Sequence, residues 1–210
     1  MSAFRGKKQF TARKRSYMDR QVDRVDGRKS FLIVCEGEKT EPGYFERFRV
    51  PTLVIRIVGT GKNPATVVKE ALRLRAEEND AYDQVWCVFD KDDNPCDAFD
   101  NAIHQAVERG LYVAYSNQSF ELWYLLHYDY FNTALARQEY MDRLSGYIGK
   151  KYEKNDTAIH GILKARVTTA VRNAERLLTQ YDPPHPGQDD PSTTVHRLVT
   201  TLLKEARPLR

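Results

Sequence analysis

Two short apolar runs, each followed directly by an acidic residue, constrain the fold of this chain most strongly. Residues 31–35 are apolar throughout and run into Glu36, and residues 85–89 are apolar throughout and run into Asp90. A strand that is apolar at every position is typical of a parallel sheet covered on both faces, because a half-exposed strand alternates apolar and polar residues. The two runs therefore predict buried strands that each end on an acid.

Patterns of strand and helix alternate through the first half of the chain. Apolar residues at 53–58 and 111–115 predict two further strands beside the glycine-containing stretches that limit them. Apolar residues at helical spacing predict helices at 42–48, 64–79 and 97–109. This alternation predicts an α/β fold with a mainly parallel sheet and helices on both faces.

After residue 116 the patterns become helical. We expect helices at 119–128, 137–148, 165–180 and 192–207. The proline-rich stretch 182–191 separates the last two, because proline lacks the amide hydrogen that a helix interior requires. The C-terminal part is therefore predicted to be a helical extension that packs on the α/β core.

The net charge of +4 is spread unevenly over the three parts that we expect, which are a basic arm at 1–29, an α/β core at 30–130 and a helical extension at 131–210. The arm carries ten Lys and Arg residues against three Asp residues, so the rest of the chain is mildly acidic. A basic arm suggests contact with a polyanion such as nucleic acid. A solvated, flexible leader that keeps the protein soluble explains the same charge equally well.

Composition predicts a cytoplasmic protein without a membrane segment. No apolar run approaches the roughly 20 residues that cross a bilayer, and residues 1–30 lack the apolar stretch of a secretory signal. The three cysteines are odd in number and show no metal-ligand spacing. Cys35 and Cys87 lie inside apolar runs, so we expect buried free thiols in a reducing compartment.

Glu36, Asp90 and Asp92 are the candidate metal ligands. In an open parallel sheet, ligands bind beyond the carboxyl ends of the strands, where these acids are expected. In an extended backbone, the D-x-D spacing would place Asp90 and Asp92 on one side. Converging carboxylates suit Mg²⁺ or Mn²⁺. The plainer interpretation is that acids after strands cap loops and helix N-termini.

The same residues resemble a known family. Glu36-Gly37 and Asp90-x-Asp92 are similar to the motifs of the Toprim fold, which topoisomerases, bacterial primases and OLD-type nucleases share. More closely, the chain resembles the RloB-like family from about residue 29 to residue 204. That resemblance rests on the segments IVCEGEKTEP (33–42), VFDKDD (88–93), SNQSFELW (116–123), ND (155–156) and PSTTV (191–195).

The resemblance implies a Toprim-like nuclease that depends on Mg²⁺ or Mn²⁺. It also implies a role in anti-phage defence and abortive infection, beside an ABC-type ATPase partner encoded nearby. Glu36 corresponds to the Toprim glutamate, a general acid/base or metal ligand, and Asp90 and Asp92 to the metal-holding pair. Asp93 is either a water-mediated extra acid or a solvated turn residue. Glu41 is interpreted as an acid of a helix first turn, stabilised there by the helix dipole.

Glu121 has two open interpretations. It follows a strand of the same sheet, so it can act as a further metal ligand and catalytic residue. Alternatively, Ser119 caps the aromatic helix and Glu121 stabilises its first turn. Ser116 and Asn117, which precede it, are candidates for binding phosphate or supporting the metal ligands.

Four lysines are candidates for neutralising a scissile phosphate. Lys39 lies beside Glu36, Lys62 follows the second strand, and Lys91 lies inside the D-x-D motif. Lys154 is the candidate for a catalytic lysine of the OLD-nuclease kind. Single lysines are usually solvated, which is the plainer interpretation of each. The spacing around Lys62 is not that of a P-loop, so ATP binding by that route is not expected.

Three functions remain open from the sequence. The first is metal-dependent hydrolysis of DNA or RNA, tRNA included. The second is a haloacid-dehalogenase-like phosphatase, which the apolar run before Asp90-x-Asp92 resembles, although Asn94 stands where Thr or Val is usual. The third is a non-catalytic subunit that senses metal or nucleic acid. No exposed array of stacking aromatic rings is identifiable in the sequence, and self-association is left open.

Overall fold

The computed structural model describes residues 28–206 except 49, 80, 155, 157 and 158. The described elements are β1 (Lys29–Cys35), α1 (Thr40–Phe45), β2 (Leu53–Gly59), α2 (Pro64–Glu77), β3 (Gln84–Asp90), α3 (Cys96–Glu108), β4 (Tyr112–Asn117), α4 (Glu121–Leu125), α5 (Arg137–Ile148), α6 (Ile159–Leu163), a 3-10 turn (Lys164–Arg166), α7 (Val167–Leu178), β5 (Ser192–Thr193) and α8 (Val195–Glu205). The predicted α/β class with a helical C-terminal part is confirmed. Most of the predicted basic arm lies outside the described residues.

The strands form one sheet in the order β2-β1-β3-β4-β5. The first four are parallel, and β1 lies between β2 and β3. Cys35 pairs with Val88, and Asp90 pairs with Ser116, so the carboxyl ends of the central strands meet at one edge. This mainly parallel arrangement is consistent with the Toprim-like architecture that the resemblance implies.

Side chains of β1 alternate between the two faces of the sheet, and each face is covered by helices. Phe31, Ile33 and Cys35 belong to a core shared with α1, α4, α5, α7 and α8. Leu32 and Val34 belong to a second core beneath α2 and α3. The apolar run therefore reflects burial on both sides, as the sequence predicted.

Several predicted helices have different limits in the structure, and α6 was not predicted. The helix expected from residue 192 begins at Val195, because Ser192 and Thr193 form β5, which pairs antiparallel with β4. The Thr193 hydroxyl also donates to the Tyr115 carbonyl at 2.9 Å. The aromatic helix expected at 119–128 is regular only over Glu121–Leu125, with hydrogen-bonded turns on either side.

Several predicted core residues are confirmed. Cys35 and Cys87 are free and buried, and Trp86, Trp123 and Tyr124 are buried. His127 is also buried, and its ring Nδ1 lies 2.9 Å from the Trp123 carbonyl oxygen, as expected for a packing residue. Within the described ranges, no helix is both long and apolar enough to span a membrane.

Candidate metal centre

A cavity of about 530 Å³ opens at the edge of the sheet where β1 and β3 end. Six carboxylates line it, from Glu36, Glu38, Glu41, Asp90, Asp92 and Glu121. The loop after β1, the first turn of α1, the end of β3 with the turn after it, and the start of α4 supply these residues. They meet because parallel strands bring their carboxyl ends to one edge. The structure thus brings together all four predicted metal ligands.

Asp90 is the last residue of β3, and it is half-buried as a residue. Its Oδ2 accepts a hydrogen bond from the Phe120 amide at 2.9 Å. Its Oδ1 is buried and has no hydrogen-bond partner in the described part of the chain. Burial and then the charges of Glu41 and Asp92 raise the pKa of Asp90 well above its usual range. An unpartnered, buried carboxylate oxygen is the donor that a cation would take.

Glu36 follows β1 and contacts the end of β3. Its backbone amide donates to the Val88 carbonyl at 2.8 Å, and its Oε2 accepts from the Asp90 amide at 2.9 Å. Burial raises the pKa of Glu36 to about 7, although the hydrogen bond from the Asp90 amide opposes the shift. Glu36 therefore exchanges a proton near neutral pH.

The local backbone at Asp92 differs from the extended D-x-D geometry that the sequence suggested. Strand β3 ends at Asp90, and Asp92 has a φ of +44° in the turn that follows. Its amide donates to the Gln118 carbonyl at 3.0 Å, which fixes the turn beside β4. The carboxylate still lines the cavity, but it does so through a left-handed turn rather than through strand alternation.

Glu121 occupies the first helical turn that one interpretation predicted, but the cap predicted at Ser119 is wrong, because Phe120 stands at the N-cap position and no side chain caps α4 in the described chain. Glu121 lines the cavity with only 2% of its surface exposed. Its Oε1 accepts a hydrogen bond from the Tyr152 hydroxyl at 3.3 Å. The helical C-terminal part therefore contacts the candidate site directly.

Glu41 is a site residue that the sequence argument assigned only to a helix start. It is in the first turn of α1 as expected, yet it is 5% exposed and lines the cavity. Its Oε1 accepts from the Gly37 amide at 3.3 Å, and a side chain at Gly37 would collide with the Glu41 carboxylate. Burial raises the pKa of Glu41. The sequence did contain a signal for Glu41. The first turn of a helix that follows a parallel strand lies at the carboxyl edge of the sheet, where the other acids were expected.

Arg137 is the second residue that sequence reasoning missed. It begins α5, and its Nη2 lies 2.7 Å from Asp92 Oδ1 and 3.5 Å from Asp93 Oδ2. Its charge opposes the effect of burial, which raises the pKa of Asp92. Arg137 is far from the D-x-D motif along the chain, so no local sequence pattern could predict that it contacts Asp92.

The four candidate lysines divide into two groups. Lys39 and Lys154 line the cavity, and the Lys154 carbonyl accepts from the Thr40 hydroxyl at 2.9 Å. Lys62 is exposed in the loop after β2, and Lys91 is half-buried, with its charge acting on Asp190. The structure therefore does not bring Lys62 and Lys91 to the cavity wall.

Ser116 and Asn117 are buried and bonded to the C-terminal segment rather than directed at the cavity. The Ser116 hydroxyl lies 3.2 Å from the Thr193 hydroxyl, and the Asn117 side-chain amide donates to the Pro186 carbonyl at 3.0 Å. These hydrogen-bonding contacts hold residues 186–193, which precede α8, against the end of β4. They leave neither side chain placed to bind phosphate.

The donor set fits a divalent cation by its chemistry. Buried carboxylates repel one another, and Oδ1 of Asp90 has no hydrogen-bond partner among the residues that the structure describes. Over the described ranges, no three His, Cys, Asp or Glu side chains already converge as a metal-binding group. Glu36, Asp90, Asp92 and Glu121 are the residues that would hold a cation here, and in this structure Asp92 is paired with Arg137.

Comparison with known proteins gives one match. Neither the curated proteins nor the solved structures include a significant match to this sequence. The sequence does match the RloB-like protein family over residues 31–202, a stretch that contains every acid lining the cavity. Because the match extends over most of the chain, this protein belongs to the RloB-like family.

Proposed function

We propose that this RloB-like protein hydrolyses phosphodiester bonds of nucleic acid with the help of Mg²⁺ or Mn²⁺. The observation that carries the proposal is the buried Oδ1 of Asp90, which has no hydrogen-bond partner among the described residues and lies in a cavity lined by five other carboxylates. Such a cluster is costly unless its charge is compensated, and hard divalent cations prefer oxygen ligands. An acid cluster at this edge of a sheet is suited to phosphoryl chemistry.

Glu36, Asp90, Asp92 and Glu121 would hold the cation. When bound, it supplies charge neutralisation at phosphoryl oxygens and makes a water molecule more acidic. The alternative role for Glu36 is proton transfer. Its pKa of about 7 suits it to accept or return a proton at neutral pH. Lys154 and Lys39 lie on the cavity wall, where their charges would attract the phosphate group.

Asp90→Asn is the sharpest test of hydrolysis. The amide keeps an oxygen for the Phe120 hydrogen bond but loses the charge that a cation needs. We expect cleavage of labelled DNA and RNA in Mg²⁺ or Mn²⁺ to fall by at least about 100-fold. The matched control is Asp97→Asn, because Asp97 is an exposed acid in the first turn of α3 outside the cavity.

Asp97→Asn should cleave at the wild-type rate. Both variants should give wild-type circular dichroism spectra, so that a loss reflects chemistry rather than folding. Undiminished cleavage by Asp90→Asn would contradict the proposal. A generic aryl phosphate in the same assay separates a nuclease from a haloacid-dehalogenase-like phosphatase.

A non-catalytic metal or nucleic-acid sensor is the second candidate. It would bind metal in the same acid-lined cavity without turnover. Calorimetric binding of Mn²⁺ without turnover would support it. The assay should be run with and without the ABC-type ATPase, which the family resemblance proposes as the partner in anti-phage defence, because an inactive isolated chain is otherwise ambiguous.

A further inference from the structure

Five side chains between residues 128 and 166 contact one another in an unbroken series of aromatic rings and arginines. The Arg166 guanidinium lies 5.2 Å from the Tyr128 ring, and Tyr128 stacks on Tyr147 at 4.8 Å with 18° between the planes. Phe131 meets Tyr147 edge-on at 6.3 Å, and the Arg143 guanidinium lies 5.5 Å from the Phe131 ring. We call these five residues the aromatic–arginine ladder.

The ladder lies at the surface rather than in the core. Tyr147 is 43% exposed, and Arg143 and Arg166 are exposed. Arg143 and Tyr147 lie one turn apart on α5 and so share a face of that helix. By contrast, the core rings, such as Trp123 and Tyr140, are fully buried. Tyr128 and Phe131 are half-buried and pack against the core, so the part of the ladder open to solvent is the Tyr147 ring with the two guanidinium groups.

Positive charge is concentrated in the part of the chain that supplies the exposed residues of the ladder. Residues 143–176 carry eight Lys and Arg against three Asp and Glu, whereas residues 30–136 carry ten against seventeen. A polyanion would be attracted to the basic segment, which supplies Arg143, Tyr147 and Arg166 of the ladder, whereas Tyr128 and Phe131 come from the acidic stretch. Arg176 adds to this, because its guanidinium lies 3.9 Å from the Tyr130 ring on the adjoining surface.

We infer that the aromatic–arginine ladder binds single-stranded nucleic acid. Unpaired bases stack on exposed rings and on guanidinium planes, whereas the bases of a duplex are already stacked on each other. Arg143 and Arg166 carry the charge that pairs with phosphates. The binding surface then selects unpaired segments, such as loops or single-stranded ends.

The ladder lies within reach of the acid-lined cavity. Helix α5 begins at Arg137, which contacts Asp92, and Tyr147 follows ten residues later, about 15 Å along the helix axis. A bound strand of several nucleotides spans that distance. Placing the scissile bond in the cavity rests on the proposed function, but binding to the ladder does not.

The test is fluorescence anisotropy with the full chain, in EDTA, so that no cleavage occurs. The probes are a labelled 12-nucleotide oligouridylate, an oligothymidylate of equal length and a mixed-sequence duplex of 12 base pairs. We expect Tyr147→Ala to weaken binding of the single strands by about 5- to 100-fold. Tyr147→Phe, which keeps the ring, should bind like the wild type.

Tyr112→Ala is the matched control. Tyr112 is 47% exposed and stacks on Trp86 at 4.9 Å, but it begins β4 and lies at the opposite edge of the sheet from the cavity. Its loss should change affinity by no more than about twofold, since it is not part of the ladder. Thermal unfolding of each variant verifies that the compared proteins are folded.

A second measurement separates charge from stacking. Arg143→Gln should reduce the slope of log affinity against log salt by about 0.7, the contribution of one phosphate contact to a single strand. Arg109→Gln, at the exposed end of α3, and Tyr147→Ala should leave that slope unchanged.

Equal affinities of Tyr147→Ala and Tyr112→Ala would overturn the inference, as would tighter binding of the duplex than of the single strands. In that case the ladder is a packing feature or a surface for a protein. Cleavage lost in Asp90→Asn with ladder binding intact supports both proposals. If the wild-type protein binds the single strands but does not cleave them, the binding inference is supported and hydrolysis by the isolated chain is not.

Discussion

Glu36 shows how two opposing effects set the chemistry of a single carboxyl group. A backbone hydrogen bond from Asp90 favours its charged form, whereas burial disfavours that form and has the larger effect. The result is a pKa of about 7 in a residue that normally titrates near 4.5. Asp90 and Asp92 are shifted in the same direction for the same first reason, which is burial.

The raised pKa of Glu36 predicts that the metal-free protein loses stability as pH rises. Below pH 4.5 both the folded and the unfolded chain hold the proton; between pH 4.5 and about 7 only the folded chain does. We expect the free energy of unfolding to be on the order of 2 kcal/mol lower at pH 8 than at pH 4.5 because of this residue. Urea unfolding in EDTA at several pH values measures the change.

Glu36→Gln provides the comparison for this prediction. The amide does not titrate, so its stability profile should be flatter than that of the wild type over the same pH range. Identical profiles for the two proteins would show that folding does not raise the pKa of Glu36. Mn²⁺ added at pH 8 should restore part of the lost stability, because a ligand that binds only the folded state stabilises it.

Strand β2 shapes the candidate site through its last residue, although it carries no acid of the cavity. A side-chain Cβ at Gly59 would lie 2.6 Å from the Gly37 carbonyl oxygen and 2.7 Å from the Glu38 Cα. The close approach of β2 therefore holds the loop between β1 and α1. That loop contains Glu36 and places Glu41 over the cavity.

Gly59→Ala is accordingly expected to destabilise the protein by about 1 to 3 kcal/mol, because the methyl group meets backbone atoms that must shift. The displaced loop should also weaken Mn²⁺ binding, measured by calorimetry.

Gly146→Ala in α5 is the control, since no atom lies within 4 Å of its added Cβ, and it should stabilise by about 0.5 to 1 kcal/mol. Equal stability of the two variants would contradict a tight contact at Gly59.

The α/β part and the C-terminal helices share one core in the described chain. Phe31 and Ile33 of β1 belong to the same apolar cluster as Leu198 and Leu202 of α8. Strand β5 adds to the sheet just before α8, and Lys29 pairs with Glu205 at 2.6 Å. The helical part is thus built into the fold that carries the candidate site.

A shared core predicts a single cooperative unfolding transition. Leu198→Ala removes a fully buried side chain of α8 and should cost about 2 to 5 kcal/mol. Hydrogen exchange should then show that the amides of β1 lose protection by the same free energy as those of α8.

Val107→Ala, at a side chain that is 60% exposed, should change stability by less than about 0.5 kcal/mol. If α8 lost protection alone, the two parts would be separate folding units.

Local patterns in the sequence were sufficient to predict the four parallel strands and the edge at which Glu36, Asp90 and Asp92 meet, but not the short antiparallel strand β5. Apolar runs of this kind are stable only when both faces are covered, so fold class follows from the residues themselves. The sequence could not predict the turn at Asp92, the contact from Arg137 or the aromatic–arginine ladder. Those depend on residues far apart in the chain, whose meeting is decided by packing of the C-terminal helices on the sheet.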